Sequence, residues 1–355
     1  MTISANTVLT YTDLMKMTMP DGSIGPVTEI LNATNEGILE YMNFMEGNLP
    51  TGHRHQVRSG LPTVSRGRIN RGVKATKGDT VQVTDNVAEY ESMAEVGAKL
   101  LEMASDPGQV RFNHEVPHIE SMHQRFFMDL FYGDERTEAD NFTGLTPRYS
   151  DTDAMNADNI LNGGEGLALA DATDLRSIWL LCWSPTTCSG IIPKRSVAGL
   201  QREDLGVRWL EDDGSDEGRR IKIYATYFRW LVGLAIPDWR YVVRIANLPV
   251  SQIADDGSYG PHLPTIMKDA IERIPGMRGN CAFYMPRALR SKLRKQVAAG
   301  VEQSTLTMEN VGGLSPRKML VFDEAFPVFR TDALVPRVEN DPKGAVTSED
   351  IVVFA

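Results

Sequence analysis

The chain predicts an α+β fold, with strands and helices interspersed rather than alternating in a βαβ rhythm. Three observations carry this. Leu175 to Trp183 is a nearly continuous apolar run, expected for a strand buried on both faces. Ile119, Met122, Phe126, Phe127 and Leu130 form one helical stripe that stops before Gly133, a residue suited to ending a helix. The stretch from His53 to Lys77 is broken by glycines, flanked by strand-like alternation and free of acidic residues.

In chain order, residues 1–24 read as an arm, with short apolar spots (Val8, Leu9, Leu14, Met15, Met17) ending in the turn Pro20-Asp21-Gly22. A helix is predicted from about Val27 to Glu46, because Val27, Ile30, Leu31, Ile38, Tyr41, Met42 and Met45 recur at three- and four-residue spacing. Residues 48–95 change character: Gly52, Gly60, Pro62, Gly67, Gly72 and Gly78 interrupt every possible helix. Val57 on one side and Thr80 to Thr84 on the other alternate as strands do, so a long hairpin with a basic tip is expected. A lone hairpin is marginally stable in water, so such an excursion is expected to lie on something else.

A long helix follows, started by Asp106 before Pro107, with Pro117 expected to kink or restart it. Residues 150–172 are loop-like, rich in Asp, Asn and Gly. Beyond Ser196 strands are predicted at Ile221–Trp230, Trp239–Ile245 and Cys281–Tyr284, and helices at Leu263–Ile274 and Pro286–Ala298. Met319–Phe322, Val328–Arg330 and Ile351–Phe354 complete the set as returning strands.

Composition excludes several classes. With 355 residues and 42% apolar content, the chain buries one large core or two moderate ones. Tyr227 to Ile236, the longest apolar-rich stretch, is too short for a bilayer and carries Arg229, so no membrane partner is expected. No basic segment followed by an apolar core marks a secretion signal. Three cysteines argue against a disulfide framework, and Cys182, Cys188 and Cys281 are expected reduced in apolar strands.

The net charge of −10 opposes general nucleic-acid binding but hides an asymmetry. Between Glu46 and Asp79 fall seven cations and no acid: Arg54, Arg58, Arg66, Arg68, Arg71, Lys74 and Lys77. The remainder of the chain therefore stands at −17. No aromatic residue lies between His53 and Lys77 to stack on bases, so an acidic surface of another copy is the better partner for this stretch. A second basic run, Arg287, Arg290 and Arg294 on one helix face, is either solvated or placed at a subunit boundary. Glu211-Asp212-Asp213 and Asp216-Glu217 are candidate partners for either basic group.

Catalytic patterns are sparse. His114 and His118 sit at i, i+4 with Glu115 and His123 nearby, but Pro117 interrupts the face and no third ligand pattern accompanies them. Gly163, Gly164 and Gly166 fail the dinucleotide fingerprint, since its last glycine position is Leu169. Neither a Gly-Lys-Ser/Thr loop nor a Gly-x-Ser-x-Gly elbow occurs. No cofactor and no catalytic residue are expected.

Residues 131–149 carry the most specific pattern. Phe131-Tyr132-Gly133-Asp134 stops the long helix, an acidic run follows, and Asn141-Phe142-Thr143-Gly144-Leu145 makes a turn closed by Pro147. A long helix, a Tyr-Gly-Asp stop and an Asn-Phe-x-Gly-Leu turn in that order resemble the major capsid proteins of tailed bacteriophages, the Hong Kong 97-like fold; within them the expected group is the short-tailed, epsilon-fifteen-like one.

That resemblance implies an N-terminal arm and helix (residues 1–46), an extended hairpin loop (48–92), a peripheral domain with a spine helix (93–195 with 315–355) and an axial domain (196–314). It implies self-assembly into hexamers and pentamers of an icosahedral head around double-stranded DNA, without sequence-specific binding. The loop cations would then contact a neighbouring copy, and Arg287, Arg290 and Arg294 an axial boundary. A portal protein, a separate scaffolding protein and a cementing or decoration protein are the partners implied, the virion the location, and the bacterial cytoplasm the place of synthesis. Some family members weld subunits by a Lys–Asn bond; Lys74 and Lys77 lie in the loop, but no crosslink is expected. About 24 residues before the first helix are too few for a built-in scaffolding segment. The rival readings are an α+β enzyme with a metal site around His114 and His118, or another oligomeric virion component.

Overall fold

A computed structural model describes residues 35–67, 69–70, 72–167, 169, 172–211, 220–299, 306–311, 317–323, 325–335 and 348–354. The predicted arm, Arg68, Arg71 and the acidic residues 212–217 lie outside them. The helices are α1 (Ile38–Tyr41), α2 (Ala98–Met103), α3 (Pro107–Tyr132), α4 (Leu145–Arg148), α5 (Leu263–Glu272) and α6 (Arg287–Ala299). The first strands are β1 (Phe44–Glu46), β2 (Gly52–Gly60), β3 (Asp79–Gly97), β4 (Ile160–Asn162), β5 (Leu175–Trp183), β6 (Ser189–Ile192) and β7 (Gln201–Glu211). The remaining strands are β8 (Arg220–Ala235), β9 (Val242–Pro249), β10 (Asn280–Met285), β11 (Leu306–Val311), β12 (Arg317–Phe322) and β13 (Phe326–Arg330). Two compact units divide them: one from residues 89–127 and 197–231, the other from the described parts of 34–88, 128–196 and 232–355.

The larger unit is built on a seven-stranded sheet ordered β11-β12-β13-β10-β5-β9-β4. Strand β5 is central and buried at every position, as its unbroken apolar sequence requires. One face of the sheet, through Ile178, Leu180, Val243 and Phe283, packs on Leu263 and Met267 of α5 and Leu289 and Leu293 of α6. On the other, Trp179 meets Phe131 and Tyr149 at ring separations of 6.3 and 5.9 Å, and Trp183 donates to the Tyr284 hydroxyl at 3.0 Å. Each of these buried side chains contributes about 1.5–3 kcal/mol relative to exposure.

The smaller unit packs Val96, Leu100, Leu101 and Val110 into one cluster and Tyr90, Phe126 and Trp230 into another, the last two rings 4.7 Å apart. The hairpin β7–β8, paired from Gln201↔Arg229 to Glu211↔Arg220, was not anticipated as a pair. Arg202, Glu203 and Asp204 obscure β7 in the sequence.

Four expectations are corrected. Of the helix predicted over 27–46, residues 27–34 lie outside the described residues; within 35–46 it is only the single turn α1, because Phe44–Glu46 is recruited by β6 as a parallel strand, Phe44 opposite Gly190. Helix α3 continues through Pro117 without restarting, the proline giving up one bond to the Asn113 carbonyl. Ile351–Phe354 joins no ladder among the described residues; Asn247 holds it instead, accepting from the Val352 N–H at 2.9 Å and donating to its carbonyl at 2.7 Å. Cys182 and Cys281 form a disulfide, because antiparallel pairing of β5 with β10 sets them directly opposite; Cys188 alone is free, and buried.

Candidate assembly surfaces

The segment 131–149 is held by contacts visible atom by atom. The N–H of Gly133 donates to the Asp129 carbonyl at 2.8 Å, and the N–H of Gly144 donates to the Gly133 carbonyl at 2.8 Å. A Cβ on Gly144 would sit 2.5 Å from the Asp129 carbonyl oxygen and 2.8 Å from that of Leu130. Both glycines are therefore demanded by close backbone approach at the end of α3. Phe131, Phe142 and Leu145 are fully buried beneath the turn. Arg148 closes it, donating through Nε and an NH2 group to the Thr143 carbonyl at 3.1 and 3.0 Å.

Arg148 also reaches the base of the predicted hairpin. Strands β2 and β3 pair antiparallel from Gly52↔Asn86 to Gly60↔Asp79, with a bulge between Arg58 and Gly60. Asp85, on β3, is 1% exposed at its side chain and accepts from Arg148 NH1 at 2.7 Å. Gly52 is another enforced glycine, since its Cβ would meet the Asp85 carbonyl oxygen at 2.0 Å.

Beyond this anchored base the hairpin is open to its surroundings. The Arg54 side chain donates to Thr84 Oγ1 at 3.1 Å across the ladder; Arg58, Arg66, Lys74 and Lys77 are exposed. The tip also displays Leu61, Val64, Ile69 and Val73 at 81, 90, 94 and 73% exposure. Sequence reasoning weighed the cations and missed these apolar residues, although their signal was plain: four aliphatic side chains in a segment with nothing of its own to bury them.

The second basic group divides. Arg287 pairs with Asp332, Nε to Oδ1 at 2.6 Å. Arg290 and Arg330 share Glu36, at 3.1 and 3.0 Å. Arg294 is exposed. Lys295 and Lys292, in that order of effect, hold Asp255 below the usual carboxylate range. Two of the three arginines predicted for an axial boundary are thus engaged within their own chain.

The histidine cluster is engaged in packing and hydrogen bonds. Glu115 accepts from Arg202 Nε and NH2 at 3.0 Å each and from the Thr226 hydroxyl at 2.8 Å. His118 Nδ1 lies 2.7 Å from Ser92 Oγ, and His123 packs edge-on against Trp230. Burial depresses both imidazole pKa values below the ordinary range. Among the described residues no group of three acidic, histidine or cysteine side chains is arranged to hold a metal ion.

A family model for major capsid protein GP7 matches residues 19–339. The chain belongs to this major capsid protein family. The solved capsid structure of bacteriophage Epsilon15 superposes with a TM-score of 0.77 at 22% identity, over 100% of both chains, giving this capsid protein the Hong Kong 97-like α+β fold. The capsid structure of bacteriophage JBD30 aligns at a TM-score of 0.42 and 10% identity, over 92% of this chain and 99% of that one. No curated protein matches this chain significantly. As a member of the family the protein forms the capsid of a phage and is a component of the virion.

Proposed function

We propose that this capsid protein assembles into hexamers and pentamers of an icosahedral head enclosing double-stranded DNA, and that its hairpin 48–92 lies along a neighbouring copy. The observation that carries the reading is the hairpin tip: a stretch whose sequence holds seven cations and no acid between Glu46 and Asp79 displays aliphatic side chains exposed by 73% or more. Such a surface fits an acidic, partly apolar face, and the rest of the chain, at −17, supplies acid in excess. The same acidity suits a wall that must not hold DNA. Arm (1–46), loop (48–92), peripheral (93–195 with 315–355) and axial (196–314) parts are the proposed assembly divisions. Arg294 is the member of the second basic face free to serve an axial boundary in its exposed position. The role is mechanical rather than enzymatic, with scaffolding, portal and decoration proteins as separate partners.

Reversing Arg66, Arg68 and Arg71 to Glu tests this. The variant is expected to keep its circular dichroism spectrum and melting temperature yet form no shells by electron microscopy and sedimentation. Normal particles from the triple variant would refute the assignment of the loop.

A further inference from the structure

The base of the hairpin contains a polar cluster that assembly surfaces do not require. Antiparallel register sets His53 opposite Asp85, and His55, two residues on, shares its side of β2. Asp85 Oδ1 is taken by Arg148, while Oδ2 lies 3.5 Å from His55 Nδ1 without a hydrogen bond. Both ring nitrogens of His55, Nδ1 of His53 and Oδ2 of Asp85 are buried and have no hydrogen-bond partner. The two imidazoles stack with centroids 6.0 Å apart. Four unpartnered polar atoms at one buried place are far from ordinary, because such atoms are nearly always satisfied.

We propose that His55, with His53 beside it, makes this base a latch that acid releases. One buried carboxylate faces one permanent cation, Arg148, and two groups able to become cations. While the imidazoles are neutral, Asp85 and Arg148 balance. A proton on His55 adds a second positive charge beside Arg148 against the single anion. The groups facing His55 are His53 on β2, Asp85 on β3 and Arg148 from the 131–149 segment. Cys188, in electrostatic reach of Arg148 and Asp85, is a thiol kept neutral by burial.

Burial is the largest influence on His55 and lowers its pKa; His53 and Arg148 push the same way, and Asp85 opposes them without prevailing. A histidine whose pKa is lower in the closed base than when solvated favours the closed base above the solvated value. That preference is lost as pH falls from about 6.5 through the depressed value. Acid therefore frees β2 and β3 near Asp85 while leaving β5 and its sheet closed. The latch stands on this geometry alone; its use in moving the loop against a neighbour rests on the function proposed above.

Hydrogen exchange of the unassembled full-length chain, corrected for intrinsic rates, tests the latch between pH 8 and 5. Peptides covering 52–60 and 79–86 should lose protection at least twofold, and for a single site no more than about eightfold, between pH 7 and 5.5, with 175–183 unchanged. In His55→Gln that loss should vanish, and in His53→Gln it should shrink. Protection that is independent of pH in the native chain, or an equal loss in His55→Gln, would overturn the proposal. So would stoichiometric Zn²⁺ that raises protection of 52–60 in the native chain and not in His55→Gln, since the cluster would then be a metal site. Should His55→Gln fail to fold, the His55 proton titration in the native chain decides: a midpoint at or above 6.5 sinks the latch. Because the readout is taken before assembly, failed shells in the loop variant leave this result untouched.

Discussion

Gly144 shows how much a capsid signature can owe to backbone crowding. Nothing about its own φ is unusual; it is glycine because two carbonyl oxygens at the end of α3 lie where a Cβ would be. Gly144→Ala must separate that turn from the helix, and should cost about 2–3 kcal/mol, within the range of severe single substitutions. Urea unfolding would measure it, and a loss below about 0.5 kcal/mol would show that the turn yields. The pattern was legible in sequence because glycine and proline carry their constraints locally. Glu115 was legible only as a residue in a histidine-rich helix. Its partners Arg202 and Thr226 lie 87 and 111 residues away, so no spacing rule connects them. Arg290 and Glu36 are 254 apart, and their pairing was invisible for the same reason.

Elements were legible where a single face or a single composition decided them. Strand β5 matches its prediction at both ends, because a strand covered on both sides shows one continuous apolar run. The hairpin announced itself through glycine and through charge. Strand β1 did not: helical spacing over 38–45 was real, but pairing with β6 across more than a hundred residues overrode it. The cysteines failed likewise, since opposition of Cys182 and Cys281 depends on the register of β5 against β10. This pairing makes a countable prediction. Denatured, unreduced protein should expose one thiol to an alkylating reagent, that of Cys188, and three after reduction. Three thiols before reduction would show that the disulfide is absent from the isolated protein.

At the scale of the whole molecule, the separation of charge sets the conditions for assembly. A loop carrying seven cations on a chain of net −10 should associate less readily as salt rises, because exposed pairs are screened beyond about 8–10 Å at physiological ionic strength. Shell yield followed by light scattering from 50 to 500 mM NaCl should fall, while the exposed aliphatic residues at the tip keep it from reaching zero. A yield that rises steadily with salt would assign the loop contact to apolar burial alone. Mature particles boiled in SDS should migrate as a 39 kDa monomer, and a ladder of multiples would reveal the covalent bond through Lys74 or Lys77 that is not expected. The order of the large sheet has a further consequence, for the ribosome. Strand β5 cannot acquire both neighbours until β10 is made, and β10 waits in turn for β13. At about 5–20 residues per second, the strand at the heart of the protein emerges on the order of ten to thirty seconds before the sheet around it can close. For much of that interval β5 has at most β9 beside it, and its other edge stays open until β10 is made.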